Sequence, residues 1–184
     1  MPWSLPNTLT WARIAAIPLI VLLFYMPYPW ADPAAGLLFA AAGVTDSLDG
    51  YFARRLGQIS RLGAFLDPVA DKLIVAVALV LLVSRDARAL IVLTAAVIIG
   101  REITISALRE WMAEIGARAK VAVSQLGKYK TILQIIGLSM MLYRVPLLGL
   151  PIYQLGVVLI EVAAAATLLS MALYLRTAWP ELKR

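Results

Sequence analysis

Six apolar stretches, each long enough to cross a lipid bilayer, leave this chain few folds to choose from. A membrane-spanning helix needs about 20 predominantly apolar residues. Stretches of that kind run over residues 11–29, 34–53, 64–83, 89–110, 124–143 and 152–175. Their breaks carry turn chemistry: Pro27, Pro29 and Pro33, then Ser84, Arg85 and Asp86, then Pro146, Gly149 and Pro151. The chain is 62% apolar, whereas soluble domains sit nearer half. A water-soluble fold of 184 residues could not hide so much apolar surface. In lipid every backbone polar group must be satisfied internally, which favours helices. The expected fold is an all-α membrane protein of six transmembrane helices, forming a single domain over residues 1–184. The start lacks a basic segment and a small-residue cleavage site, so no cleaved leader is expected. No soluble domain, low-complexity tract or internal repeat is evident.

Lys and Arg set the expected orientation. One side holds Arg13, Arg54, Arg55, Arg61, the set from Arg101 to Lys130, and Arg176, Lys183 and Arg184; the other holds Arg85, Arg88 and Arg144. The crowded side, with both termini, should be cytoplasmic. Trp3, Trp11, Trp30, Trp111 and Trp179 fall near span ends, where interfacial anchoring is the ordinary role. A net charge of +6 in so apolar a chain points to anionic lipid or phosphate substrates. Nucleic acid is not expected as a partner, because the basic residues are set among membrane spans.

The chain has no Cys and no His. Disulfides, thiolate metal sites and a Cys nucleophile are excluded. A general base at neutral pH must be a carboxylate, Lys or Tyr, and any metal would be a hard cation held by oxygen. Against that background, four aspartates at membrane depth stand out: Asp46, Asp49, Asp67 and Asp71. Intramembrane carboxylates are costly and usually face the interior of a bundle for function. On helices, Asp46 and Asp49 are i,i+3 neighbours, and Asp67 and Asp71 are i,i+4 neighbours. A short basic link can bring the two faces together. Four converging carboxylates would take up protons or bind cations. One or two divalent cations are the simplest neutralisers, held by carboxylates and substrate phosphate oxygens. Gly50 and Gly63 lie beside the acidic pairs and leave room for a bulky nucleotide. The plainer alternative pairs these aspartates with Arg54, Arg55, Arg61 and Lys72 as helix-holding ion pairs.

The run D-x2-D-G-x2-A-R-x8-G-x3-D-x3-D, from Asp46 to Asp71, resembles the signature of the CDP-alcohol phosphatidyltransferase family, with Asp46, Asp49, Gly50, Ala53, Arg54, Gly63, Asp67 and Asp71 at its fixed positions. Pro6-Asn7-Thr8-Leu9-Thr10 followed by Arg13 looks like that family's N-terminal segment. The resemblance implies a two-metal site of Mg²⁺ or Mn²⁺ held by Asp46, Asp49, Asp67 and Asp71, with Asp71 also the general base. It implies that Asn7, Thr10, Gly50, Arg54, Ser60 and Gly63 meet the CDP-diacylglycerol, and that the protein is a homodimer. A bacterial inner membrane, with the site on the cytoplasmic side, is the expected location. Attack on a phosphoanhydride calls mainly for charge neutralisation and alignment, which metals, Arg54 and a carboxylate base can supply.

The second half carries Arg101, Arg109, Arg118, Lys120, Lys128 and Lys130. Arg101 and Arg109 lie roughly 80° apart around an ideal helix, broadly on one side. Such a cluster suits an acceptor that itself bears a phosphate. The text from Arg101 to Glu114, with Gly127-Lys128-Tyr-Lys130-Thr131, resembles the branch of the family that uses sn-glycerol 3-phosphate, which makes Arg101, Arg109 and Lys128 its expected ligands. Glu102 is read as a partner for a nearby base. The last two spans look generic. Two other readings stay open: the same chemistry on another acceptor, such as inositol phosphate, and an ion-coupled transporter, which usually shows internal repeats.

Overall fold

The structure is a computed structural model that describes residues 5–56, 61–116 and 125–183, with side chains placed except at 5–7, 46–56, 61–62, 64, 125–128 and 180–182. Its helices are α1 (Leu5–Tyr25), α2 (Ala31–Leu56), α3 (Arg61–Arg85), α4 (Ala89–Glu114), α5 (Gln125–Tyr143) and α6 (Ile152–Leu182). The all-α expectation holds.

The helix ends differ from the apolar stretches for local reasons. The first helix stops at Tyr25, short of the expected 29, ahead of Pro27 and Pro29. It starts earlier, at Leu5, and takes Pro6 into its first turn, where a missing N–H removes no helical bond. Helix α4 continues past 110 to Glu114 and ends at Gly116, whose φ is 72°. There the Ile115 N–H bonds Trp111 O at 3.1 Å and the Gly116 N–H bonds Ala113 O at 3.2 Å, in the manner of a glycine-terminated helix. Helix α6 runs on to Leu182, beyond the expected 175. Charged residues end an apolar count but do not end a helix.

Among the described residues, three helical segments are long and apolar enough to cross a membrane by length and composition: Thr8–Tyr25, Ala89–Glu114 and Ile152–Trp179. Large apolar side chains such as Leu19, Leu22, Val80, Leu93, Val162 and Leu169 stand half or more exposed on the bundle's outside. Apolar faces on that scale are those of a protein solvated by lipid. The chain is a membrane protein.

Neighbour packing runs α1–α2–α5–α6–α4–α3 and back to α1, with α3 also touching α5 and α2. One core fills the middle, with Ile20, Phe39, Ala78, Ile98, Leu138 and Ile160 contributed in turn by α1 to α6. One close crossing joins α5 to α6. A Cβ placed on Gly156 would come within 2.8 Å of Gly137 O, and one on Gly137 within 3.1 Å of Gly156 O. Small residues allow such backbone approach where lipid offers no hydrophobic drive between helices.

One end of the bundle is tied by polar contacts. Arg85 Nη1 donates to Asp32 Oδ1 at 2.6 Å. Arg88 donates to both oxygens of Asp86, at 2.8 and 2.6 Å, and Tyr153 Oη donates to Asp86 Oδ2 at 2.5 Å. The Arg88 guanidinium, and after it the Tyr153 hydroxyl, hold the Asp86 carboxyl well below the usual carboxylate range. The opposite end, where α1 and α3 begin and α4 finishes, carries the site.

Candidate active site

Helix α3 places Asp67 and Asp71 one turn apart, on one face. Helix α1, running beside it in the same direction, sets a polar group against each. Thr10 Oγ1 donates to Asp67 Oδ1, and Arg13 Nη1 donates to Asp71 Oδ1. Thr10 and Arg13 are themselves i,i+3 neighbours, so two rungs join the helices. The Arg13 side chain is 1% exposed and that of Asp71 43%. The cation therefore sits behind the carboxylate, inside the protein, while the carboxylate opens forward. Buried arginine needs such a partner, because an unpaired charge in a low-dielectric interior is costly. The plainer sequence reading named Arg54, Arg55, Arg61 and Lys72 as partners for the aspartates; Arg13 is a partner of Asp71 that it did not name, and the side chains of Arg54, Arg55 and Arg61 lie outside the described residues.

Asp67 and Asp71 open into a cavity of about 510 Å³ whose other walls come from α4 and α5. Arg101, Ile105 and Arg109 line it at i, i+4 and i+8 on α4, and Thr131 and Gln134 line it from α5. Arg101 and Arg109 do lie on one side, as their spacing suggested, and the fold turns that side toward the aspartates. Pro68, between the two aspartates, has no N–H to give the carbonyl one turn back, which loosens α3 at this point.

The basic wall is held from behind. Arg101 Nη1 donates to Glu102 Oε1 at 2.9 Å, and Lys130 Nζ donates to the same oxygen at 2.8 Å. Glu102 is thus the partner of nearby bases, as read from the sequence. Arg101 Nη2 also reaches Ser170 Oγ at 3.4 Å. Arg109 Nη2 donates to Tyr174 Oη at 3.0 Å, with the guanidinium 5.4 Å from the Tyr174 ring centre. Ser170 and Tyr174 are i,i+4 neighbours on α6, both buried, so each arginine of α4 meets one residue of α6. Sequence reasoning placed Lys130 in the basic cluster without giving it a role of its own, and passed over Gln134, Ser170 and Tyr174. The signal available for the last two was polar residues at helical spacing in an otherwise apolar span. The last two helices are not generic, since both furnish this wall.

Two apolar grooves adjoin the cavity. One, of about 400 Å³, lies between α2, α3 and α5 and touches Arg13 and Asp71. The other, of about 370 Å³, lies between α3 and α4 and touches Lys72 and Glu102. A ligand with a charged head and apolar tails fits this juxtaposition.

Of the remaining sequence candidates, Gly63 is buried on α3, in its second residue pair from the helix start. The side chains of Asn7, Asp46, Asp49, Arg54 and Lys128, the surroundings of Gly50, and the whole of Ser60 lie outside the described residues. The donor set that is described suits a hard cation: two carboxylates one turn apart, opening to one cavity, in a chain without His or Cys.

An all-α membrane bundle with paired aspartates facing a basic wall defines a class of enzyme, and the match to known proteins agrees with it. Residues 3–174 match the CDP-alcohol phosphatidyltransferase family model, and the chain belongs to that family. Among similar proteins, one from Pseudomonas fluorescens is 50% identical over 181 residues, covering 98% of this chain and 92% of its own length. One from Escherichia coli strain K12 and one from Shigella flexneri are each 48% identical over 182 residues, covering 99% of this chain and 98% of their own. All three are named CDP-diacylglycerol–glycerol-3-phosphate 3-phosphatidyltransferase.

Proposed function

We propose that this protein transfers the phosphatidyl group of CDP-diacylglycerol to sn-glycerol 3-phosphate, releasing CMP and forming phosphatidylglycerophosphate. The observation that carries the reading is the single cavity onto which Asp67 and Asp71 open from one wall and Arg101 and Arg109 from another. Near-full-length similarity to enzymes named for this reaction supports the choice of acceptor.

In this reading the phosphate of the acceptor rests on Arg101 and Arg109 and, on the family resemblance, on Lys128. Bidentate guanidinium contacts fix a phosphate in orientation as well as in place. The free primary hydroxyl then points to the phosphorus that bears the diacylglycerol. Its oxygen forms the new P–O bond, the bond to the CMP oxygen breaks, and the hydroxyl proton passes to Asp71. Arg13 holds one Asp71 oxygen, which aims the carboxylate. On the family resemblance, Asn7, Thr10, Gly50, Arg54, Ser60 and Gly63 would contact the CDP-diacylglycerol. Asp46, Asp49, Asp67 and Asp71 would hold a pair of Mg²⁺ or Mn²⁺ ions, on the family resemblance, and the metal's chemistry when bound would be to neutralise the charge of the two phosphates and of the departing CMP. The apolar grooves beside the cavity suit the acyl chains.

The six helices would all span the membrane, with the site facing the cytoplasm of a bacterial inner membrane, on the support of the Lys/Arg bias. A homodimer rests on the family resemblance. The test is CMP release by purified protein given CDP-diacylglycerol with each acceptor. Glycerol 3-phosphate should support turnover and inositol phosphate should not. EDTA should abolish activity, and Mg²⁺ or Mn²⁺ should restore it. Preference for inositol phosphate would overturn the acceptor, and full turnover without metal would overturn the metal site.

A further inference from the structure

Gln134 is the uncharged polar residue of the cavity with the least explained surroundings. It lies on α5, 4% exposed, and lines the same space as Asp71, Arg101 and Arg109. Its Oε1 is fully buried and has no hydrogen-bond partner among the described residues. A buried amide oxygen left without a donor is costly, and the great majority of such atoms are satisfied. On the same helix Lys130, one turn earlier, spends its ammonium on Glu102. Arg101 is engaged by Glu102 and Ser170, and Arg109 by Tyr174.

The acceptor has three polar parts. In the reading above, its phosphate goes to the arginines and its reacting primary hydroxyl goes toward Asp71. The secondary hydroxyl between them still needs a partner, and it is a donor. We propose that Gln134 is a specificity-determining residue, whose Oε1 accepts a hydrogen bond from the secondary hydroxyl of a phosphorylated polyol acceptor. This rests on the proposed acceptor and adds what distinguishes that acceptor from a phosphorylated alcohol lacking the middle hydroxyl. A site built to bond a substrate hydroxyl discriminates against the analogue without it, because its own polar atom is then left unpaired.

The experiment compares sn-glycerol 3-phosphate with 3-hydroxypropyl phosphate, which keeps the phosphate and the reacting hydroxyl and lacks the secondary one. Wild-type protein and Gln134→Met, which keeps the side chain's length without its amide, are assayed with both. The wild type should favour glycerol 3-phosphate by about tenfold or more in kcat/KM, the fold-change that corresponds to about 1.4 kcal/mol. In Gln134→Met, kcat/KM for glycerol 3-phosphate should fall by about that factor, and the analogue should change by less than about twofold, so the preference disappears. Turnover of the analogue reports that the variant is folded. If the thioether prevents folding, Gln134→Ala is read in the same way. A parallel loss on both acceptors would mean a packing role and overturn the inference, as would a preference that survives either substitution. Wild-type protein that does not use glycerol 3-phosphate at all would sink the acceptor assignment first, and is separated from these outcomes by its own assay.

Discussion

In the proposed function Arg109 holds the acceptor's phosphate, and it is itself held by a residue of α6. Its place on one side of α4 with Arg101 was legible in the sequence, because residues eight apart fall broadly on one side of a helix. What holds it was not. Tyr174 resembles any aromatic of a membrane helix until α6 is laid against α4, when its hydroxyl meets Arg109 Nη2 at 3.0 Å. Tyr174→Phe keeps the ring and removes that acceptor. A neutral-partner bond to a charged group is worth about 1.5–3 kcal/mol, and part of it survives here through the ring face. The expected result is a rise of about three- to thirtyfold in the KM for glycerol 3-phosphate, with kcat little changed. A fall in kcat at unchanged KM would show that Tyr174 does not act through acceptor binding. Asp71→Asn should behave in the opposite way. It preserves the size of the side chain and removes its basicity, so turnover should be lost even at saturating acceptor, with no His in the chain to take over.

Between elements, the α5–α6 crossing decides whether the basic wall exists. Gly137 and Gly156 let the two backbones meet, and α6 then carries Ser170 and Tyr174 up to α4. A glycine in an apolar run is visible in a sequence, but its opposing glycine is not, since the pair is joined only by the register of two helices. Gly156→Val would drive its Cβ to 2.8 Å from a backbone oxygen, which cannot swing aside as a side-chain tip can. Overpacking of that kind typically costs about 1–3 kcal/mol. Thermal unfolding in detergent should begin at a lower temperature than in the wild type, and acceptor KM should rise as the α6 face shifts. An unchanged melting temperature would show that the crossing can relax. The same limit applies to α1 and α3: the rungs Thr10–Asp67 and Arg13–Asp71 span 57 and 58 positions in the chain, and spacing alone offered several basic partners for Asp71.

For the whole molecule, the expected arrangement is six crossings with the site end in the cytoplasm. Cysteines introduced singly at Ser60 and Ser84 should label from opposite sides of the membrane, Ser84 from outside and Ser60 from inside. Labelling of both from one side would refute that topology. The sequence by itself determined the all-α class, the membrane as solvent, the acidic signature and the absence of His and Cys as ligands or bases. These follow from run lengths, from the cost of charge at membrane depth and from residue types absent anywhere in the chain, all of which are local or compositional properties. Only the tertiary structure decided which helices are neighbours, that Arg13 backs Asp71, that α4 turns Arg101 and Arg109 toward the aspartates, and that Gln134, Ser170 and Tyr174 belong to the same cavity. The reason is physical: in a bundle whose helices are all apolar outside, periodicity says which face of a helix is unusual, while the partner of that face is chosen by close packing between segments distant in the chain.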